Sequence, residues 1–185
     1  MQENISLPSE CPSVDCKIFD GASLVNMLAP NCTSKTFLDY CNDSFIPYLE
    51  FNTNLMKRVD LVFDRYLNES LKSATRSNCG IGVRQKVTEN GKLPSNWETF
   101  LRCSENKSEL LRIVENFSKL VITTVEENVI CNQQYDLGDL MPCNMEEADE
   151  RMLLHVNDAS KYYSKHLIKT VDSDIVVNYC FSGTS

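Results

Sequence analysis

CKIFDG, residues 16–21, is a short apolar run that ends in an aspartate and a glycine. A run of this kind predicts a buried strand followed by a tight turn. The stretch VDLVFD, residues 59–64, has the same form and also ends in an aspartate. These two predicted strands decide the fold, because helical patterns lie between and after them.

Outside these two strands, the spacing of apolar residues predicts helices at 22–28, 36–51, 95–101, 107–120 and 144–163. Pro47 must lie near an end or a kink of the second helix, and Ser95 is predicted to cap the third. Further strands are predicted at 121–124, 129–131 and 167–177, with an acidic turn between the first two. Strands that alternate with helices predict an α/β sandwich around a mainly parallel sheet.

The length of 185 residues suits one domain, predicted here at residues 16–185 after a flexible N-terminus at 1–15. Within it, residues 77–94 are polar and basic and predict a mobile basic loop. The first ten residues lack the pattern of a signal peptide, and the apolar runs are too short to predict a membrane span. The net charge of -8 counts against nucleic-acid binding, but a cluster of metal-binding carboxylates would explain part of it.

Nine cysteines are present, an odd number, with no Cys-x-x-Cys pair. Together with six Asn-x-Ser/Thr triplets, they leave open a secreted, disulfide-linked glycoprotein. Since no signal sequence is recognisable, free and mostly buried thiols in a reducing compartment are the preferred interpretation.

Carboxylates occur at four places where function gathers in α/β proteins, the ends of strands and the starts of helices. They are Asp20, Asp64, the cluster Glu146-Glu147-Ala148-Asp149, and the pair Asp172 and Asp174. The last two are two residues apart, so in a regular strand they share one face. Mg²⁺ and Mn²⁺ prefer such oxygen ligands. Structural alternatives also exist: a helix cap at Asp20, an ion pair of Asp64 with Arg58 or Arg65, and acids that favour a helix N-terminus.

The segments 19–25, 62–64, 147–149 and 171–174 occur in the order of the acidic motifs of the flap-endonuclease/PIN superfamily, which this chain resembles. It is similar in particular to a multicopy animal family associated with mobile elements, through residues 35–40, 69–72, 94–97, 146–149 and 170–174. The resemblance implies a PIN-like three-layer sandwich that hydrolyses phosphodiester bonds of DNA or RNA with Mg²⁺ or Mn²⁺. We expect an intracellular, nuclear protein without a membrane segment.

Position by position, the resemblance assigns Asp20, Asp64, Glu147 and Asp149 to one metal ion, and Asp149, Asp172 and Asp174 to the second. Lys72 and Arg76 are assigned to the substrate phosphate. The family pattern continues to a Gly-Cys-Asp motif, which this sequence lacks, so a partial, C-terminally truncated domain is implied. Glu150 stands where a small polar residue is expected. These departures keep open an alternative function, a degenerate and inactive PIN-like module that binds protein or nucleic acid.

Overall fold

The computed structural model of the chain describes residues 14–65, 82–112 and 117–170. Its strands are β1 (Cys16–Asp20), β2 (Arg58–Val62), β3 (Leu120–Val125), β4 (Asn128–Cys131) and β5 (His166–Lys169). They form a five-stranded sheet in the order β4-β3-β2-β1-β5. β1 runs parallel to β2 and β5, and β2 runs parallel to β3, whereas β3 and β4 form an antiparallel hairpin. The predicted α/β class with a mainly parallel sheet is confirmed.

The helices are α1 (Gly21–Met27), α2 (Phe37–Tyr40), α3 (Ile46–Asn52), α4 (Trp97–Leu101), α5 (Ser104–Arg112) and α6 (Ala148–Ala159). A π-helical segment, Cys41–Phe45, joins α2 to α3, and a 3-10 turn lies at Gly138–Leu140. Among these described helices, none has the length and apolar character that crossing a membrane requires.

The predicted helix at 36–51 is present but changes its winding around Pro47. Thr36 caps it with a reciprocal pair of hydrogen bonds to Asp39. Pro47 has no amide hydrogen, and its ring would clash with the preceding turn of a regular α-helix. The π-helical segment lies directly before α3, with the Ile46 amide donating to the Cys41 carbonyl, and Pro47 occupies the first turn of α3. Pro47 therefore lies near a helix end, as predicted.

The predicted bounds of three helices are wrong. The cap of α4 is Asn96 rather than Ser95, because the Asn96 side chain accepts the Thr99 amide at 2.9 Å. The helix predicted at 107–120 is α5, which begins at 104, and Leu120 belongs to β3 instead. The helix predicted at 144–163 is α6, which is shorter at both ends. Of the strand predicted at 167–177, β5 represents the start, and residues 171–177 lie outside the described part of the chain.

Helices cover both faces of the sheet, because successive strand side chains point to opposite sides. Phe19 and Leu61 face a large apolar cluster that includes residues of α1, α2, α3, α4 and α5. Ile18 and Val62 face the opposite side, where they pack against Met152 of α6. β1 and β2 therefore lie between two helical layers.

Part of the predicted basic loop is described, and it packs against α2. The Phe37 amide donates to the Gly91 carbonyl at 3.0 Å, and the Leu93 amide donates to the Lys35 carbonyl at 3.0 Å. Val87 is buried. These contacts hold residues 82–94 against the helical layer, whereas residues 77–81 and the N-terminal residues 1–13 lie outside the described ranges.

The described cysteines are free thiols. Three of them are buried, namely Cys16, Cys41 and Cys143, and three reach the surface to some extent, namely Cys32, Cys103 and Cys131. Burial raises the pKa of the Cys41 thiol to about 12. Free thiols agree with the preferred interpretation, although burial is less general than expected. Cys11, Cys79 and Cys180 are not among the residues described.

Replacing Gly21 by alanine is expected to destabilise the protein, because Gly21 lies directly under the ring of Phe63. A Cβ atom at Gly21 would stand 2.1 Å from Phe63 Cε2. The buried ring would have to move, at a cost of about 1–3 kcal/mol in the free energy of unfolding. Denaturant unfolding measures this loss. Gly138→Ala is the control, since its Cβ would meet only the Asp136 carboxylate oxygen at 3.2 Å. Equal stability of the Gly21→Ala variant and the wild-type protein would contradict the described packing.

Candidate active site at the carboxyl edge of the sheet

Asp20 is the last residue of β1 and the cap of α1. Its Oδ1 accepts the Ser23 amide at 3.0 Å, which satisfies one of the free amides at the start of the helix. The predicted helix cap is therefore present. The carboxylate nevertheless stays at the edge of the sheet where the parallel strands end, so capping and a functional role are compatible.

Asp64 lies two residues beyond the end of β2. Its Oδ1 accepts the amide of Ala148, the first residue of α6, at 2.8 Å. The amino end of a helix favours a negative charge, and this hydrogen bond crosses 84 residues of sequence. Of the two ion pairs considered for Asp64, neither is present among the described contacts: Arg58 pairs with Asp60 and Asp158, and Arg65 pairs with Glu127. Asp64 instead fixes the start of α6 against the end of β2.

The acidic cluster at 146–149 lies at the start of α6. Glu147 is the cap residue of the helix and has extended backbone. Asp149 lies in the first turn, where its Oδ1 accepts the Glu150 amide at 2.9 Å. The Arg65 amide donates to the Glu146 carbonyl at 2.8 Å. Two hydrogen bonds therefore join this cluster to the Asp64 segment: the Ala148 amide donates to Asp64 Oδ1, and the Arg65 amide donates to the Glu146 carbonyl.

The Asp64 carboxylate acts electrostatically on Asp20. Burial raises the pKa of the Asp20 carboxyl, and the neighbouring Asp64 carboxylate raises it further. Hydrogen bonds from the Ser23 and Ala22 amides and the positive charge of Lys107 oppose this rise. Because the Asp64 carboxylate raises the pKa of Asp20, a cation bound beside both carboxylates would reduce the repulsion between them. The structure thus brings together two of the predicted metal ligands.

The other predicted ligands do not complete a metal centre within the described residues. In residues 14–65, 82–112 and 117–170, no group of three or more His, Cys, Asp or Glu side chains is arranged to hold a metal ion. Asp20, Asp64, Glu147 and Asp149 therefore do not converge on a single ion in this arrangement. Asp172, Asp174, Lys72 and Arg76 lie outside the described ranges.

A second polar cluster, which the sequence analysis missed, lies between β2 and α6. Arg58 and Asp60 have 0% of their side-chain surface exposed and are joined by two hydrogen bonds of 2.7 Å. Arg58 Nη1 also donates to Asp158 Oδ2 at 2.6 Å and to the Tyr135 hydroxyl at 2.8 Å. His155 Nδ1 lies 2.7 Å from Asp60 Oδ2, and the imidazole is fully buried. We call these five residues the buried polar network.

One sequence signal would have pointed to this network. Arg58 and Asp60 are two apart in an apolar strand, so both side chains lie on the same face of the sheet. Charged groups are rarely buried without partners. His155 and Asp158 are three apart in a predicted helix and share a face in the same way. Such charged pairs in two apolar elements indicate that the elements pack together through them.

The stability of the protein is expected to fall in acid because of Asp60. Burial raises the pKa of Asp60, but hydrogen bonds from His155 and Arg58 outweigh it, so the pKa lies below its ordinary value. A lowered folded-state pKa stabilises the protein above the unfolded-state pKa of about 3.9, and this contribution is lost as the pH falls through the folded-state value. The free energy of unfolding should therefore fall below about pH 4.

Denaturant unfolding between pH 3 and 7 tests this expectation. Asp60→Asn should lower the free energy of unfolding by roughly 3–5 kcal/mol near neutral pH, because Arg58 loses a buried partner. It should also reduce the slope of the free energy of unfolding against pH in acid. Glu98→Gln removes an exposed carboxylate of α4 and should keep the wild-type slope. An unchanged acid slope in Asp60→Asn would show that other carboxylates cause the acid dependence.

Comparisons with protein-family models, with curated proteins and with solved structures find no match for this chain.

Proposed function

We propose that this chain is a divalent-metal-dependent nuclease domain of PIN-like architecture that hydrolyses phosphodiester bonds in DNA or RNA. We place it inside the cell, in the nucleus, where both substrates occur. The observation that supports this proposal is the pairing of Asp20 and Asp64. Asp20 ends β1, and Asp64 lies two residues beyond the neighbouring parallel strand β2, at the same carboxyl edge of the sheet. The Asp64 carboxylate raises the pKa of Asp20. This edge is where α/β proteins place their functional groups.

The donor set suits Mg²⁺ or Mn²⁺ in its chemistry. Both candidate ligands are carboxylates, and hard divalent cations prefer oxygen. Each uses Oδ1 for a backbone amide, which fixes its orientation, and a carboxylate can accept further contacts. Asp20 and Asp64 would hold the first ion, with Glu147 and Asp149 as neighbours. In the proposal, Asp149, Asp172 and Asp174 serve a second ion.

A bound pair of ions would supply an activated water and charge stabilisation for the leaving oxygen. The chain itself contributes orientation. Asp64 is held between the end of β2 and the first amide of α6. Asp20 is held by the first turn of α1. In the proposal, Lys72 and Arg76 bind the scissile phosphate, where positive charge favours a transition state rich in negative charge.

Asp20→Asn and Asp64→Asn test the cation site without removing the helix caps. Asparagine keeps the oxygen that accepts the backbone amide, whereas the negative charge is lost. We expect each variant to remain folded and to bind Mn²⁺ at least about tenfold more weakly, since loss even of an outer partner of a metal ligand costs roughly 10–100-fold. Isothermal titration calorimetry measures the affinity, and cleavage of labelled single-stranded and flapped substrates measures the activity.

Glu98→Gln is the matched control, because it removes one negative charge at an exposed position, where the carboxylate pairs with Arg102. It should bind Mn²⁺ and cleave like the wild-type protein. Equal cleavage by all the variants would indicate a contaminating nuclease. If the wild-type protein gives neither heat nor a thermal shift with Mn²⁺ or Mg²⁺, the nuclease proposal fails and the inactive binding module becomes the better interpretation.

A further inference from the structure

Arg151 is one of the largest side chains that the fold buries completely, with 0% of its surface exposed. It lies on α6, two residues after Asp149. A guanidinium cannot lose its charge in a protein, so burying it requires strong polar partners. The positions of those partners indicate what Arg151 does.

The guanidinium of Arg151 binds three separate segments. Nη1 donates to the Phe63 carbonyl at 2.5 Å, just beyond β2, and Nε donates to Cys143 Sγ at 3.0 Å. Nη2 donates to the Glu126 carbonyl in the turn between β3 and β4, and more weakly to the Cys143 carbonyl at 3.4 Å. Among the described residues, these acceptors are carbonyls and a thiol rather than carboxylates. Arg151 thus joins the end of β2, the hairpin turn and the loop before α6.

The carbonyl that Arg151 binds belongs to the peptide that leads into Asp64. The amide of Phe63 is held as well, since it donates to Thr124 Oγ1 at 2.7 Å. On the other side of Asp64, the Arg65 amide donates to the Glu146 carbonyl at 2.8 Å. Rotation of the Phe63–Asp64 peptide would swing the Asp64 side chain away from Ala148. Arg151 opposes that rotation directly.

The hairpin turn that Arg151 binds is also connected to the Asp64 segment. Glu126 has φ 55°, in the left-handed region that glycine adopts more easily than other residues. Arg151 binds the Glu126 carbonyl, and Arg65 forms an ion pair with Glu127. One arginine on α6 and one directly after Asp64 therefore hold the same turn. This arrangement gives the segment 63–65 a rigid support.

We infer that Arg151 is a positioning residue, which acts through the Phe63 peptide and the hairpin turn to hold the Asp64 carboxylate against the first amide of α6. Its consequence for cation binding rests on the proposed nuclease function. The positioning itself is a property of the fold, so the two can be tested separately.

Arg151→Lys tests the inference, because a lysine ammonium cannot bridge three segments as a guanidinium does. The readout is hydrogen exchange of the Ala148 amide, which donates to Asp64 Oδ1, relative to the Leu61 amide within β2. We expect this ratio of exchange rates to rise at least about tenfold, because the start of α6 opens locally while β2 stays protected. Arg58→Lys is the matched control: it also loses a completely buried guanidinium, at the opposite end of β2, and should leave the ratio unchanged.

An unchanged ratio in Arg151→Lys, or an equal rise in Arg58→Lys, would overturn the inference. If Arg151→Lys does not fold, Cys143→Ala is the second variant, because it removes one acceptor of Arg151 and keeps the guanidinium. It should raise the ratio of the exchange rates to a smaller extent. An unchanged ratio in this variant would count against the inference. Mn²⁺ titration of the same variants then addresses the cation site. Should the wild-type protein bind no Mn²⁺, the proposed function fails, while the exchange ratio still decides whether Arg151 positions Asp64.

Discussion

Two completely buried arginines fix helix α6 over strand β2. Arg58, at the start of the strand, reaches Asp158 near the end of the helix at 2.6 Å. Arg151, near the start of the helix, reaches the Phe63 carbonyl just beyond the strand at 2.5 Å. The helix therefore runs antiparallel to the strand. A slip by one turn, about 5.4 Å, would leave both guanidinium groups buried without these partners. Arg58 holds the carboxyl end of α6, whereas Arg151 holds its amino end, where the first amide of α6 meets Asp64.

The strands could be predicted from the sequence because their signals are local. β1, β2 and the β3–β4 hairpin are short runs of β-branched and apolar residues that end at polar turns. Helix ends were predicted less well, for physical reasons. Ser95 and Asn96 are both good caps, and only the hydrogen bond to Thr99 decides between them. The apolar spacing of α5 continues into Leu120, so the pattern alone placed that strand residue in a helix.

The candidate site could be predicted in part, because the carboxyl ends of parallel strands meet at one edge whatever the details of packing. That rule was enough to place Asp20 beside Asp64. The buried polar network was missed because its contacts join distant parts of the chain, with Asp60 and His155 separated by 95 positions. The role of Arg151 was missed for a related reason. Its acceptors are mainly backbone carbonyls, which carry no sequence signal.

The two ends of β2 balance charge in opposite ways. At the amino end, Arg58 lies within 2.7 Å of both Asp60 and Asp158, and Lys161 Nζ lies 3.9 Å from Asp158, so each of these two carboxylates has a cationic partner. At the carboxyl end, Asp20 and Asp64 repel, and the nearby Arg151 directs its donors to carbonyls and a thiol. Within the described residues, neither Asp20 nor Asp64 forms an ion pair with an arginine. A divalent cation would therefore be stabilised more at the carboxyl end than at the amino end. This asymmetry is the physical reason for proposing the metal site beside Asp64 rather than in the larger buried polar network.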